Sequence, residues 1–224
     1  MGSQADKTEL VNVMTLRKIV GSLAFLLPVV VSLGVIVLCK DFTLQDSISD
    51  YYYTIMRNYF VGTLCAVALV LFSYKGYDDK DDRFGDIAAL CALLVAFFPT
   101  TPEHPIDYPF LSSGTVGIIH LSAAALLFWI LSHFSLKLFI KTKDPNNMSD
   151  RKKLRNKVYV SCGITIRVCL GLLLIYFLIM HYDYLGWGEA IQKFKLVYIF
   201  EFIMLWAFGF SWLVKGEIIW SDKE

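Results

Sequence analysis

The chain has 224 residues, of which 56% are hydrophobic and 18% are charged, with a net charge of +1 and a mean hydropathy of +0.55. Soluble domains are roughly 45–50% apolar and about 25% charged, so this composition excludes an ordinary soluble globular domain. The near-zero net charge, without a basic stripe interleaved with aromatics, argues against a nucleic-acid partner.

Long apolar runs alternate with short polar segments along the whole chain. A helix needs about 20 predominantly apolar residues to cross a bilayer. We therefore predict an all-α polytopic membrane protein, a six-transmembrane-helix bundle that forms one domain over residues 1–224. The predicted spans are residues 18–39, 57–74, 84–99, 115–137, 158–180 and 195–214. We expect the first run to be a retained span, because no small-residue cleavage site follows it.

Lys and Arg are distributed unequally between the two sets of predicted loops. Three lie in the N-terminal flank up to Lys18, three in the 75–83 loop, eight in residues 137–157 and two in the C-terminal tail, which makes sixteen on one side. The other side has four, and Arg167 lies within a span. Cytoplasmic loops are enriched in these residues, which predicts that both the N-terminus and the C-terminus are cytoplasmic. We expect a cell membrane location, in the bacterial inner membrane, with the 137–157 loop contacting anionic lipid headgroups.

The segment DSISDYYYTIMRN at residues 46–58 lies just before the second predicted span. Ser47 and Asp50 have the spacing of a helix start, with an oxygen acceptor and an acid near the positive helix end. The three tyrosines are typical of an interfacial belt. Asp50, Thr54 and Arg57 recur at helical spacing, which predicts a polar stripe lining an outward-facing vestibule. The alternative is an interfacial salt bridge with a helix cap.

Three ionisable residues, His120, Arg167 and Glu201, lie inside predicted spans. Such groups are costly in a bilayer and usually face the bundle interior, where they pair and mark function. At about 1.5 Å per residue, His120 and Glu201 both lie roughly 8–9 Å below the outer surface, and Arg167 roughly 20 Å. We predict that they form a polar cluster beneath the stripe and bind an ion, a proton or a small solute. The alternative is a structural network in which an Arg167–Glu201 ion pair holds helices together.

Sequence motifs for catalysis and cofactor binding are missing. The chain has no HExxH or HxxxH, no GxSxG, no P-loop and no dinucleotide fingerprint, and its five cysteines form no CxxC. We therefore assign no catalytic residue and no cofactor, and a bound metal is left open. The first functional hypothesis is a transport or channel-like protein. The alternatives are a membrane-embedded hydrolase acting on a lipid at the outer leaflet and a non-catalytic sensor or assembly subunit, with a homo-oligomer left open.

Three segments resemble small bacterial multi-pass proteins of unknown function: SISDYYYTIMRNYFVGTLCAVALVLFSYKGYD, ALLVAFFPT and FIMLWAFGFSWLVKGE. They are also similar to the six-span DRAM/Sfk-type membrane proteins of eukaryotes, in which a serine–aspartate stretch in an outer loop precedes the second span. The resemblance implies a six-helix membrane bundle. It implies no activity, and no site residue carries over from it.

Overall fold

A computed structural model describes residues 3–74, 76, 78–102, 113–142, 144, 147–183 and 186–220. This part of the chain is helical and contains no strand, which confirms the all-α prediction. Its α-helices are α1 (Ser3–Cys39), α2 (Arg57–Phe72), α3 (Asp79–Phe97), α4 (Gly114–His133), α5 (Asp150–Tyr182), α6 (Gly188–Gln192) and α7 (Leu196–Lys215). A 3₁₀ helix, Ser49–Tyr53, precedes α2, and a π-helical turn, Phe134–Leu138, extends α4.

Four helical stretches of the described chain are long and apolar enough to cross a membrane. They are Val13–Cys39, Gly114–Leu138, Asp150–Tyr182 and Ala190–Lys215. These stretches coincide with the first, fourth, fifth and sixth predicted spans. Helix α2 is apolar but shorter, with 16 residues, and α3 opens on the polar sequence DKDDR.

The starts of three helices follow from short polar side chains that cap them. Ser113 accepts a hydrogen bond from the amide of Val116 at 3.4 Å, and Ser149 accepts from that of Lys152 at 3.2 Å. Asp78 accepts from two amides in the first turn of α3 at 3.0 Å. Such side chains bond the first amides of a helix, which have no partner within it. The local sequence therefore sets where α3, α4 and α5 begin.

The six long helices form a closed ring. Along the chain α1 packs against α2, α2 against α3, α3 against α4 and α4 against α5, and α7 then packs against both α5 and α1. The backbones of α1 and α7 approach each other closely where they cross, because a Cβ on Gly209 would lie 2.8 Å from backbone atoms of Gly21 and Phe25. Small residues allow such backbone approach between membrane helices.

The interior of the ring differs between its two ends. We call the end that holds residues 41–54, 98–102 and 186–197 the tyrosine end, and the end that holds residues 139–157 and 215–220 the lysine end. Buried aromatic rings fill the half near the lysine end: Tyr74, Phe134, Phe139, Tyr159 and Trp212. The half near the tyrosine end has a second buried cluster, which includes Val31, Tyr51, Phe60 and Tyr198.

The segment before α2 differs from the predicted continuous helix. The 3₁₀ helix ends at Tyr53, Thr54 is extended (φ −111°, ψ 176°), and α2 begins only at Arg57. The prediction of one helical stripe through Asp50, Thr54 and Arg57 is therefore wrong. Two of the three tyrosines are also buried, with Tyr51 and Tyr52 only 1% and 5% exposed, so the segment is folded into the bundle end rather than forming an interfacial belt.

Candidate functional site

Glu201 holds the segment before α2 against the side of α7. Its Oε2 accepts a hydrogen bond from the backbone amide of Ile48 at 2.6 Å, and its Oε1 lies 3.5 Å from the hydroxyl of Ser49, which donates to it. The carboxylate therefore lies at the start of the 3₁₀ helix, where backbone amides point at an acceptor. The partners of Glu201 in this arrangement are neutral groups.

Ser47 and Asp50 form the predicted cap at the start of the same segment. The Ser47 hydroxyl oxygen accepts from the Asp50 amide at 3.0 Å and donates to Asp50 Oδ2 at 2.7 Å. The sequence spacing that predicted a helix start is thus confirmed, although the helix that follows is a short 3₁₀ helix.

Asp46, at the start of the segment before α2, contacts residues at the start of α7. Its carboxylate pairs with Lys195 Nζ and accepts a hydrogen bond from Gln192 Nε2 at 3.1 Å, while its carbonyl accepts from the Tyr198 amide at 3.0 Å. Partial burial acts to raise the pKa of Asp46, but the hydrogen bonds from Lys195 and Gln192 and the charge of Lys195 outweigh it and hold the pKa below its ordinary value.

His120 lies on α4, one turn and a half from its start, and is 4% exposed. Its Nδ1 lies 2.7 Å from the carbonyl oxygen of Phe98, which ends α3. A carbonyl only accepts hydrogen bonds, so Nδ1 carries the proton and the neutral ring has its lone pair on Nε2. His120 thus links α3 to α4 and keeps one nitrogen able to accept a proton or a cation.

One cavity of about 640 Å³ joins these groups at the tyrosine end. It is lined by Asp46, Asp50, His120 and Glu201, together with neutral residues of the 98–102 segment, α4 and α7. Within the described part of the chain, no lysine or arginine lines this cavity. Three of the six residues that the sequence singled out, Asp50, His120 and Glu201, are therefore brought to one place.

Thr54 and Arg57 lie outside the cavity and stabilise the turn between the 3₁₀ helix and α2. The Thr54 hydroxyl donates to the carbonyl of Tyr51 at 2.8 Å and accepts from the amide of Met56 at 3.1 Å. The exposed Arg57 guanidinium donates to the Tyr52 hydroxyl and lies 4.2 Å from the centre of the Tyr52 ring. Their contacts are those of a turn and a cation–π pair rather than a binding site.

Arg167 lies apart from the other predicted residues. Its Nε donates to the Ser132 hydroxyl at 3.2 Å, and its guanidinium is 5.7 Å from the centre of the Trp129 ring. The side chain is on the exposed face of α5, and it makes no ion pair with Glu201. The structure therefore contradicts the predicted Arg167–Glu201 pair and puts Arg167 at the α4–α5 contact.

Glu201 also borders a second, smaller space deeper in the ring. This apolar chamber of about 50 Å³ is lined by side chains of α1, α2, α3, α4 and α7, including Leu27, Val67, Leu131 and Phe208. Glu201 therefore lies on the boundary between a polar cavity and an apolar chamber.

Asp46 is a cavity residue that sequence reasoning missed, and its ion-pair partner Lys195 does not line the cavity. The two residues are 149 positions apart, so no local sequence spacing indicates their contact. Glu103, His104 and Asp107 lie outside the described residues. Among the described residues, no group of three His, Cys, Asp or Glu side chains has the arrangement of a metal site.

The chain matches no protein-family model, no curated protein and no solved structure. What it does must therefore be inferred from the tyrosine-end cavity and the charges around it.

Proposed function

We propose that the chain is a six-span transport or channel-like membrane protein that binds a cation, either a metal ion, a proton or a small cationic solute, in the tyrosine-end cavity. The observation that supports this most directly is the meeting of Asp50, Glu201 and His120 around one cavity. Carboxylates gathered in a cleft with low-dielectric walls raise the local concentration of cations.

In this proposal α2 and α3 are the two remaining spans. The 16 residues of α2 rise about 24 Å, and the 19 residues of α3 about 28 Å, which suits short spans. Both pack as members of the closed ring, between α1 and α4. With six crossings both termini lie on one side, and the excess of Lys and Arg assigns the lysine end to the cytoplasm and the tyrosine end to the outside of a cell membrane.

Glu201 is the central cation ligand in the proposal. Its hydrogen-bond partners are an amide and a hydroxyl, so they orient the carboxylate without neutralising it. A buried carboxylate is costly, and a bound cation or proton relieves that cost. The lone pair on His120 Nε2 supplies a second acceptor in the same cavity.

The half of the ring near the lysine end would control the passage of a cation, because its interior is filled. Below Glu201 lie the small apolar chamber and then the buried aromatic rings near the lysine end. Movement of a cation beyond Glu201 requires these rings to part. The π-helical turn Phe134–Leu138 carries one of them, Phe134, and π turns inside helices often occur where a helix must adjust for function.

The test is ion flux and ion binding by the purified chain in proteoliposomes, with H⁺, Na⁺, K⁺ and Mg²⁺ as probes. Glu201→Gln retains an oxygen that accepts from Ile48 but removes the charge, so we expect flux of the transported cation to fall at least about tenfold. The matched control is Asp41→Asn, which removes an exposed carboxylate at the same end but outside the cavity. Wild-type flux in Glu201→Gln, with the protein folded, would rule out the proposed ligand.

A further inference from the structure

Arg167 carries a positive charge in the middle of a helix that is long and apolar enough to cross a membrane. The helical stretch runs over Asp150–Tyr182, and Arg167 lies one residue past its midpoint. Along the helix axis it is about 15 Å from Lys157, in the polar first part of α5, and about 22 Å from Tyr182. In a bilayer this depth is the hydrocarbon core, where an unpaired charge is costly.

The side chain of Arg167 faces outward from the ring of helices. Arg167 is exposed, and so are Ile164, Val168 and Gly171 on the same side of α5, while Ile166 on the opposite side is buried. Charged residues within membrane spans almost always face the bundle interior or pair with another polar group. An outward-facing arginine at this depth therefore indicates a partner outside this chain.

Most of the hydrogen-bonding capacity of Arg167 is unused. Its Nε donates to the Ser132 hydroxyl at 3.2 Å, and its guanidinium lies 5.7 Å from the centre of the Trp129 ring. Among the residues that the structure describes, neither Nη atom has an acceptor. The guanidinium N–H groups form a planar fork that matches the two oxygens of a carboxylate.

Two aromatic rings on α4 add polar atoms to the same surface. The half-buried His133 ring stacks on Trp129, which is 44% exposed, with 5.9 Å between the ring centres. Within the described part of the chain, neither the indole N–H of Trp129 nor a ring nitrogen of His133 has a hydrogen-bond partner. Asp81, whose charge acts on His133, is paired with Lys141 at 2.6 Å. We call Arg167, Trp129 and His133 the arginine patch.

We infer that the arginine patch binds a transmembrane helix of another protein that carries a carboxylate at mid-span. A carboxylate supplies the acceptors that the Nη atoms of Arg167 lack, and the pair relieves the cost of an isolated charge in hydrocarbon. Gly171 lies one turn from Arg167, and a Cβ there would meet no atom within 4 Å. Small residues let membrane helices approach closely. The patch lies outside the ring of helices, so the inference does not depend on the proposed transport.

A second copy of this chain fits the arginine patch less well. A symmetric pair through this face would bring the same surface of both copies together, and with it two Arg167 side chains of like charge. Glu201, the acid within the apolar stretch of α7, cannot supply the countercharge on an outer surface, because its carboxylate accepts from Ile48 and Ser49 within the fold. The occupant is therefore a helix that brings its own acid.

The binding experiment uses the purified full chain and synthetic transmembrane peptides in phosphatidylcholine vesicles. Each peptide has about 20 leucine and alanine residues around one central Glu, Gln or Leu, and energy transfer between dyes measures its association with the chain. We expect the Glu peptide to bind about tenfold more tightly than the Gln peptide, the ratio that one charge-assisted hydrogen bond supplies. The same Glu near a peptide end should lose this advantage. Equal binding of the central-Glu and central-Gln peptides would overturn the inference.

A pair of variants on α5 locates the contact. Arg167→Leu is expected to weaken binding of the central-Glu peptide about tenfold, to the level of the Gln peptide. Lys157→Gln removes the same charge from an exposed residue of α5 about 15 Å away, and is expected to change binding less than about twofold. Arg167→Glu should reverse the preference, so that a central-Lys peptide binds more tightly than the Glu peptide. Equal losses in Arg167→Leu and Lys157→Gln would contradict the site.

Self-association of the chain separates a partner protein from a second copy. Energy transfer between two differently labelled samples of the chain is compared for wild type and Arg167→Leu, after thermal unfolding has shown that both are folded. We expect the same transfer in both. If wild type associates with itself and Arg167→Leu does not, while the Glu and Gln peptides bind alike, a second copy covers the patch and the inference is wrong.

Discussion

The tyrosine end and the lysine end hold charges of opposite sign, and both use the backbone to do so. At the tyrosine end the carboxylate of Glu201 accepts from the amide of Ile48. At the lysine end the amines of Lys152 and Lys215 donate to the carbonyl of Phe139. Backbone amides and carbonyls therefore orient charged side chains at both ends. The comparison teaches that the same kind of backbone contact serves an acid at one end and amines at the other.

The largest expected effect comes from breaking the helix pair that both ends share. Helices α1 and α7 carry Arg17 and Lys215 at the lysine end and Glu201 towards the tyrosine end. Gly209→Ala places a Cβ 2.8 Å from backbone atoms of α1, which cannot move aside as a side chain can. We expect a loss of about 3 kcal/mol in the free energy of unfolding, measured by denaturant or thermal unfolding in micelles, and weaker cation binding at the tyrosine end.

Gly62→Ala is the matched control for that substitution. A Cβ on Gly62 would have no atom within 4 Å, and the residue lies inside α2. Alanine is the better helix former by about 1 kcal/mol, so this variant should be neutral or slightly more stable. If Gly209→Ala were equally harmless, the two ends would not depend on the α1–α7 crossing.

Arg167→Ala tests whether the middle of the bundle is separate from both ends. The substitution removes the hydrogen bond to Ser132 and the contact with the Trp129 ring. We expect a loss of about 1 kcal/mol in thermal unfolding experiments, with cation binding unchanged. Loss of cation binding in a folded Arg167→Ala protein would restore the link between Arg167 and Glu201 that the sequence predicted.

The smallest effect is expected for the Asp46–Lys195 ion pair at the tyrosine end. Its contribution to the free energy of unfolding should depend on pH. Because the pKa of Asp46 is lower in the folded chain than its ordinary value of about 4, its stabilising contribution is present above about pH 4 and is lost as the pH falls through the folded pKa. Asp46→Asn should cost about 0.5 kcal/mol at neutral pH, the discounted value for a partly exposed pair, and should remove this acid-dependent loss. Unfolding curves of both proteins between pH 2.5 and 7 would show equal acid sensitivity if the pair contributed nothing.

Depth along the bundle was predictable from the sequence, but the rotation of each helix was not. Counting residues from the span boundaries put His120 and Glu201 at the same level, and both line one cavity. Arg167 was misassigned because α5 is apolar on its packed side and on its exposed side alike, so hydrophobic periodicity carries no signal of which side faces inward.

The break before α2 was unpredictable for a different reason. Residues 46–58 have a good helix start at Ser47, and nothing in their composition forbids a continuous helix. The turn at Thr54 is stabilised by contacts that exist only in the folded chain, such as Glu201 with Ile48 and Tyr53 with the carbonyl of Thr100. Long-range contacts of this kind override local helix propensity.

The ring of helices is closed by α7, which follows the other ring helices in the chain. Until α7 is synthesised, the face of α1 that carries Gly21 lacks the helix that packs on it. Earlier segments of a chain generally fold while later ones are still being synthesised. Completion of this bundle therefore has to wait for residues 196–215, and a chain interrupted before them would leave that face of α1 uncovered.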